Sequence, residues 1–117
     1  MPILTLEHTS YIRETIYTKA LFYPLHKLLV KLANANLKRC KSRAINHSNY
    51  FISDGNSSPA FITLTVRLLE GRSKKNCKDL GKKMRKFLLS YFLLSLKKLD
   101  LQISVNIIEM PKEYNFV

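Results

Sequence analysis

The spacing of apolar residues along the chain predicts four strands and two helices. Alternating or β-branched segments predict strands at Pro2–Glu7, at about Arg39–Ile45, at Ala60–Leu69 and at Leu101–Ile108. Apolar residues at helical spacing predict one helix from Arg13 to about Leu32 and another from Ser73 to about Lys98. The predicted order of elements is therefore β-α-β-β-α-β.

Three sites of turn or capping residues interrupt this pattern. Pro24 lies inside the first predicted helix, and we expect it to kink that helix or divide it in two. The stretch 48–58 contains Asp54-Gly55 and several serines and asparagines, which is typical of a loop or hairpin. Ser73 is a suitable N-cap for the second helix.

The order of elements predicts a single α+β domain with two layers, spanning residues 1–117. Each helix is long enough to cross over a sheet and bring the next strand parallel to the one before it. The chain then forms two βαβ halves, about 1–58 and 59–117, in one four-stranded mixed sheet with both helices on one face. We expect the strand at Ala60 to be apolar on both faces, so that a partner subunit covers the other side of the sheet.

Composition places the chain among ordinary folded domains. It has 117 residues, of which 46% are hydrophobic, enough for a core and too many for a disordered tail. The longest apolar runs are far shorter than a membrane span, and Met1-Pro2-Ile3-Leu4 does not resemble a secretory signal. With two cysteines, no metal-type spacing and no glycine-rich phosphate loop, we expect a reduced, cytoplasmic protein without metal or cofactor.

The charge balance is the unusual feature of the composition. Twenty Lys and Arg against eight Asp and Glu give a net charge of +12, which attracts anions of any kind. Many of these charges lie at the start of the second predicted helix: Lys74, Lys75, Lys78, Lys82, Lys83, Arg85 and Lys86. One hypothesis is a non-catalytic basic module that binds nucleic acid or another polyanion through this cluster. The simpler interpretation is a solvated helix face, which we prefer because no aromatic stacking motif accompanies the charges.

Pro2 offers a distinct chemical opportunity. An initiator methionine before so small a residue is normally removed, which would leave proline as the terminal residue. Its secondary amine would be basic, nucleophilic and fixed in direction by the ring, and an α-amino group titrates at about 7.7–8.0. A pocket that excludes water and contains cations would favour the neutral amine, which is then available as a general base.

Several short motifs keep a characteristic order along nearly the whole chain: Pro2 opening the first strand, Lys41-Ser42-Arg43, Asp54-Gly55, Ala60 through Thr65, Gly71-Arg72-Ser73 and Tyr114-Asn115-Phe116. In their joint order and spacing the chain resembles the 5-carboxymethyl-2-hydroxymuconate isomerase family, a branch of the tautomerase superfamily with an amino-terminal proline. The resemblance implies the same β-α-β-β-α-β unit, assembled as a homotrimer with active sites near the subunit boundaries.

The resemblance also implies a reaction and the residues that carry it. The substrate would be a small anion, a 2-hydroxymuconate-type dienol with several carboxylates from aromatic compound catabolism, and the product its 2-keto isomer. Pro2 would be the acid–base catalyst, and Arg72, a second catalytic residue, would hold substrate carboxylates together with the substrate-binding residues Lys41 and Arg43. Lys41 stands where the family typically has arginine, and a lysine does not reproduce bidentate binding of a carboxylate.

Overall fold

The computed structural model describes residues 2–55 and 59–111 of the chain. It contains four strands, β1 to β4, at Ile3–Thr9, Lys41–His47, Pro59–Leu69 and Asp100–Met110. It contains three α-helices, α1 to α3, at Thr18–Ala33, Lys74–Tyr91 and Leu93–Lys98, and a short 3₁₀ helix at Leu37–Arg39. The predicted order of strands and long helices is confirmed.

The four strands form one mixed sheet in the order β2-β1-β3-β4. β1 pairs with β2 in parallel, with Ile3 opposite Lys41, and β3 pairs with β4 in parallel, with Pro59 opposite Asp100. The two central strands, β1 and β3, are antiparallel. The α1 and α2 crossovers therefore form two βαβ halves, joined through the antiparallel pair at the centre of the sheet.

Both long helices cover the same face of this sheet. Alternate side chains of β1 and β3 point to that face and are fully buried: Leu4, Leu6, Ile62, Leu64, Val66 and Leu68. They form one cluster with the buried sides of the helices, including Leu25 and Leu29 of α1 and Leu80 and Met84 of α2. The predicted two-layer α+β architecture is confirmed.

The other face of the sheet, which we call the open face, is mixed in character. The register of the strands places Thr5, Arg43, Thr65 and Arg67 on it, together with apolar residues such as Ile45. The expectation that β3 is apolar on both faces is therefore wrong, because three of its outward residues are polar. These are Thr63, Thr65 and Arg67, which lie between the apolar Phe61 and Leu69.

The chain between β1 and α1 differs from the predicted helix that began at Arg13. Residues 10–17 form a loop that is held by the far end of α2 and by α3. Glu14 accepts hydrogen bonds from the backbone N–H and the hydroxyl of Ser95, and Tyr91 donates its hydroxyl to the carbonyl of Thr15 at 2.8 Å. Contacts distant in sequence thus compete with the local helical pattern, and α1 begins only at Thr18.

A helix is divided in the structure, but not at the proline where the sequence allowed a division. α1 continues through Pro24 without being divided. Pro24 has no N–H to donate to the carbonyl of Ala20, and because Ala20 is exposed this carbonyl can bond water instead. The second predicted helix instead divides at Phe92, a fully buried residue with φ −100° and ψ 29°. At its start the expected cap is present, because the Ser73 hydroxyl accepts a hydrogen bond from the backbone of Asn76 at 3.1 Å.

The position of Leu64 at the centre of the core predicts a large effect of truncation. Leu64→Ala should lower the free energy of unfolding by about 2–5 kcal/mol, because it removes buried methyl groups and leaves a cavity. Val30→Ala, on the exposed side of α1, should cost about 0.5 kcal/mol or less. Urea denaturation at one protein concentration measures both, and equal losses would contradict the assignment of the core.

Candidate active site

Pro2 is held rigidly at the beginning of the central strand β1. Its ring is buried, and its carbonyl accepts a hydrogen bond from the backbone N–H of Lys41 at 3.1 Å. Pro2 precedes the buried Leu4 by two residues, so the alternation along β1 places it on the helix-covered side. The sheet therefore fixes the position of this residue, as the sequence led us to expect.

The topology brings the other candidate residues to the same end of the sheet. β1 and β2 begin there, while β3 and β4 end there. The end of β3 is joined to the end of β4 by a hydrogen bond of 2.9 Å from the N–H of Glu70 to the carbonyl of Met110. The loop after β3 contains Arg72, so Pro2, Lys41 and Arg72 all lie at the same end of the sheet.

Arg72 is half-buried and is bound to the backbone on two sides. Its Nε donates to the carbonyl of Ala33 at 2.9 Å, and its Nη1 donates to the carbonyl of Leu69 at 2.7 Å. These bonds use two of the five guanidinium N–H groups and connect the end of α1 with the end of β3. The side chain also lines a cavity of about 360 Å³, together with Asn34, Ser73 and other residues between the two helices. Arg72 is thus a structural link as well as a cation.

Lys41 and Arg43 lie on the open face of the sheet, at successive outward positions of β2. Both side chains are exposed, and neither lines the cavity that contains Arg72. The backbone N–H of Lys41 is hydrogen-bonded to Pro2, so these two residues are neighbours. Arg43 lies two residues farther along β2, opposite Thr5. Within the single subunit, Pro2 lies on the helix-covered side of the sheet, and Lys41 and Arg43 lie on the open face. Arg72 lies in the loop that follows β3.

Arg67 is a further cation at this end that the sequence reasoning missed. It lies opposite Ile3 on β3, and Ile3 in turn lies opposite Lys41, so the three side chains form one row across the open face. Arg67 is half-buried, unlike Lys41. The alternation of polar residues along β3 was the available signal, because it places Arg67 on the face opposite Val66.

The surroundings of Cys40, Cys77 and His26 shift their pKa values in the direction that disfavours the charged forms. Burial raises the pKa of the Cys40 thiol, and burial together with the Glu109 carboxylate raises the pKa of Cys77 against a smaller opposite effect of Arg72. Both shifts disfavour the reactive thiolate. Nε2 of His26 lies 2.5 Å from the hydroxyl of Ser42, and burial lowers the pKa of this histidine. Among residues 2–55 and 59–111, no three His, Cys, Asp or Glu side chains are grouped to hold a metal ion.

The sequence of the chain matches the model of one known protein family. The family model of 5-carboxymethyl-2-hydroxymuconate isomerase matches residues 2–117, from the buried proline to the last residue. The chain belongs to the 5-carboxymethyl-2-hydroxymuconate isomerase family. It is therefore a member of the tautomerase superfamily, as its motifs suggested.

Solved structures of this isomerase family and its superfamily share the fold. A 5-carboxymethyl-2-hydroxymuconate isomerase from Deinococcus radiodurans R1 superposes with a TM-score of 0.88 at 25% identity, over 99% of this chain and 87% of that one. A 5-carboxymethyl-2-hydroxymuconate delta-isomerase gives 0.81 at 15% identity, over 100% and 87% of the two chains. A fused 4-OT symmetric trimer gives 0.78 at 17% identity, over 98% and 90%. No curated protein sequence matches this chain.

Two further motifs carried the resemblance to the isomerase family, Asp54-Gly55 and Tyr114-Asn115-Phe116. Asp54-Gly55 lies in the loop before β3, where Gly55 has φ +80° and Phe51 lies against it. Tyr114-Asn115-Phe116 lies outside the described residues.

In the part of the chain that the structure describes, no helix has the length and apolar character needed to cross a membrane.

The two backbone contacts of Arg72 predict a stability effect in this isomerase family member. Arg72→Met should lower the free energy of unfolding by about 1.5–3 kcal/mol, because hydrogen bonds from a charged group to two carbonyls are lost. Lys75→Met, an exposed position on α2, removes the same charge and should be nearly neutral. Chemical denaturation distinguishes the two, and an equally stable Arg72→Met protein would show that these bonds do not contribute.

Proposed function

We propose that this protein is an isomerase that converts a carboxylate-rich 2-hydroxymuconate-type dienol into its 2-keto isomer. The observation that carries the proposal is the family match that begins at residue 2, at a proline buried and fixed at the start of a central strand. No net oxidation is needed, since the double bonds shift as one proton leaves the 2-hydroxyl and one is added to a distant carbon.

The nitrogen of Pro2 is the proposed acid–base group. Removal of Met1 converts this nitrogen from an amide into a secondary amine, and the neutral amine accepts the hydroxyl proton and returns a proton to carbon. The hydrogen bond between the Pro2 carbonyl and Lys41 holds the residue in the sheet. A base held in this way needs no reorganisation before each proton transfer.

Cations at the same end of the sheet supply the second requirement. The substrate is a polyanion, and negative charge develops on its 2-oxygen as the hydroxyl proton leaves. We assign Arg72 to the catalytic centre and Lys41 and Arg43 to the substrate carboxylates, with Arg67 as a further cation on the open face. The same charges disfavour protonation of Pro2 and so keep it available as a base.

Assembly into a homotrimer completes the proposal. The structural neighbour described as a fused 4-OT trimer has this fold, and the open face of this chain leaves Ile45 and Ile108 exposed at 41% and 37%. Packing of open faces against one another buries these residues and brings Lys41 and Arg43 of one subunit towards the next. The site is then formed at a boundary between subunits.

The trimer predicts a defined mass in solution. Light scattering should give three times the 13.6 kDa of one chain, about 41 kDa, at micromolar concentration. Ile45→Lys places a charge in the proposed interface and should shift the protein towards smaller species, whereas Val30→Lys on α1 should not. A mass of one chain at all concentrations would remove the basis for a site between subunits.

The role of Pro2 predicts a specific pattern of activity against pH. With 2-hydroxydienoates as substrates, kcat/KM should rise with pH as the nitrogen loses its proton, because only the neutral amine accepts one. Pro2→Ala keeps an amine but loses the rigid ring, so its activity should fall and remain measurable. A chain that retains Met1 has an amide at this position and should lose about 10²–10⁴-fold.

Mass spectrometry of the amino terminus is the control for each preparation, since it identifies which nitrogen is present. Arg72→Ala removes a cation that disfavours protonated Pro2, so it should move the rise in kcat/KM to higher pH. Its stability must be measured beside it, because Arg72 also binds the backbone. Activity that is indifferent to both Pro2 and Arg72 would exclude this mechanism.

A further inference from the structure

Half of the twenty Lys and Arg residues of the chain lie in α1 and α2, the helices that cover the face of the sheet opposite to the open face. Three basic residues lie in α1 and seven in α2, whereas Asp79 is the single acidic residue of these two helices. All ten basic side chains are exposed: Lys19, Lys27, Lys31, Lys74, Lys75, Lys78, Lys82, Lys83, Arg85 and Lys86. The cations of the proposed site, Arg72, Lys41, Arg43 and Arg67, all lie outside α1 and α2, so this surface has charge that the site does not use.

An apolar groove lies between α1 and α2 on the same surface. Its volume is about 520 Å³, within the range of small-molecule sites, and Pro24, Leu28 and Phe87 form its apolar part. Leu28 and Phe87 are only half-buried, so the groove exposes apolar area. We call this feature, with its rim, the α1–α2 groove.

The rim of the α1–α2 groove is cationic. Lys27 of α1 and Lys83 and Lys86 of α2 line it, together with Ser90. Nζ of Lys27 lies 5.6 Å from the centre of the Tyr23 ring, a contact that holds this charge on the α1 side. The groove therefore places apolar surface and positive charge within the reach of one small molecule.

This combination favours one ligand class over the alternatives. A solvated helix face needs charge but no exposed apolar groove. A nucleic acid needs phosphate contacts and, when single-stranded, aromatic side chains free to stack, whereas Phe87, the aromatic residue among those that line the groove, is half-buried. An alkyl chain with an anionic head satisfies both parts of the groove at once.

We propose that the α1–α2 groove binds a single-chain anionic amphiphile of the fatty-acid class. The alkyl chain contacts Pro24, Leu28 and Phe87, and the carboxylate lies at Lys83 and Lys86. The groove is on the helix layer, so assembly through the open face of the sheet leaves it accessible.

The test uses dodecanoate, below its micelle concentration, with the full chain. NMR chemical shifts should change at Leu28, Phe87 and Ser90, and calorimetry gives the affinity. Butyrate has the same head without the chain and should cause much smaller changes, because little apolar surface is buried. Dodecyl maltoside, which has the chain without the charge, should bind more weakly than dodecanoate.

A matched pair of variants separates the rim from the general charge. Lys83→Gln with Lys86→Gln should weaken dodecanoate binding by about three- to tenfold, as expected for two partly exposed charge contacts. Lys78→Gln with Lys82→Gln removes the same charge from α2 positions outside the groove and should change affinity less than about twofold. All four positions are exposed, so both variants should fold.

Three results would overturn the proposal. Equal weakening in both variants would show a diffuse electrostatic effect. Binding to phosphatidylglycerol vesicles without binding of free dodecanoate would show a membrane surface instead. Tight binding of an oligonucleotide at physiological salt, lost in the Lys78 and Lys82 variant and unaffected by dodecanoate, would assign the surface to nucleic acid.

Discussion

The burial of one side of β1 and β3 against α1 and α2 is the constraint on which the rest of the structure depends. Leu4, Leu6 and Leu64 occupy that side, and the period of two along a strand then sends Thr5, Thr65 and their neighbours to the open face. A shift of one residue in register would exchange the two sets. The core therefore also decides which face presents Lys41, Arg43 and Arg67, although none of these residues belongs to it.

The same constraint assembles the end of the sheet at which we place the chemistry. The α1 crossover returns the chain to the end of the sheet where β1 begins, and the α2 crossover leaves from the same end, where β3 ends. Arg72 serves two purposes there, because its bonds to Ala33 and Leu69 hold α1 against the sheet while its charge remains at the edge. A cation that is tied to the backbone in this way keeps its position although it lies in a loop, which suits the anionic substrate that we propose.

The sequence was sufficient for features that depend on local pattern and insufficient for those that depend on distant partners. The strands, the Ser73 cap and the mixed sheet follow from periodicity, turn residues and crossover length. The loop at residues 10–17 depends on Glu14 finding Ser95, and the helix break depends on the burial of Phe92, contacts that no local window contains. The alternation along β3 is enough to place Arg67 on the open face, but its position beside Ile3 is visible only once the register is known.

The distribution of charge separates two surfaces of the molecule. In physiological salt the electrostatic influence of an exposed charge fades over about 8 Å, so the lysines of α1 and α2 act mainly on what lies directly against them. At the sheet end, anions meet charges held in or beside the strands. On the helices, they meet Lys83 and Lys86 beside an apolar groove, where a charge alone is held weakly and a charge with an alkyl chain gains the burial of that chain. Because of this screening, the excess charge of the helix layer acts on molecules that lie directly against that layer. Its role therefore depends on the apolar groove that the same layer exposes.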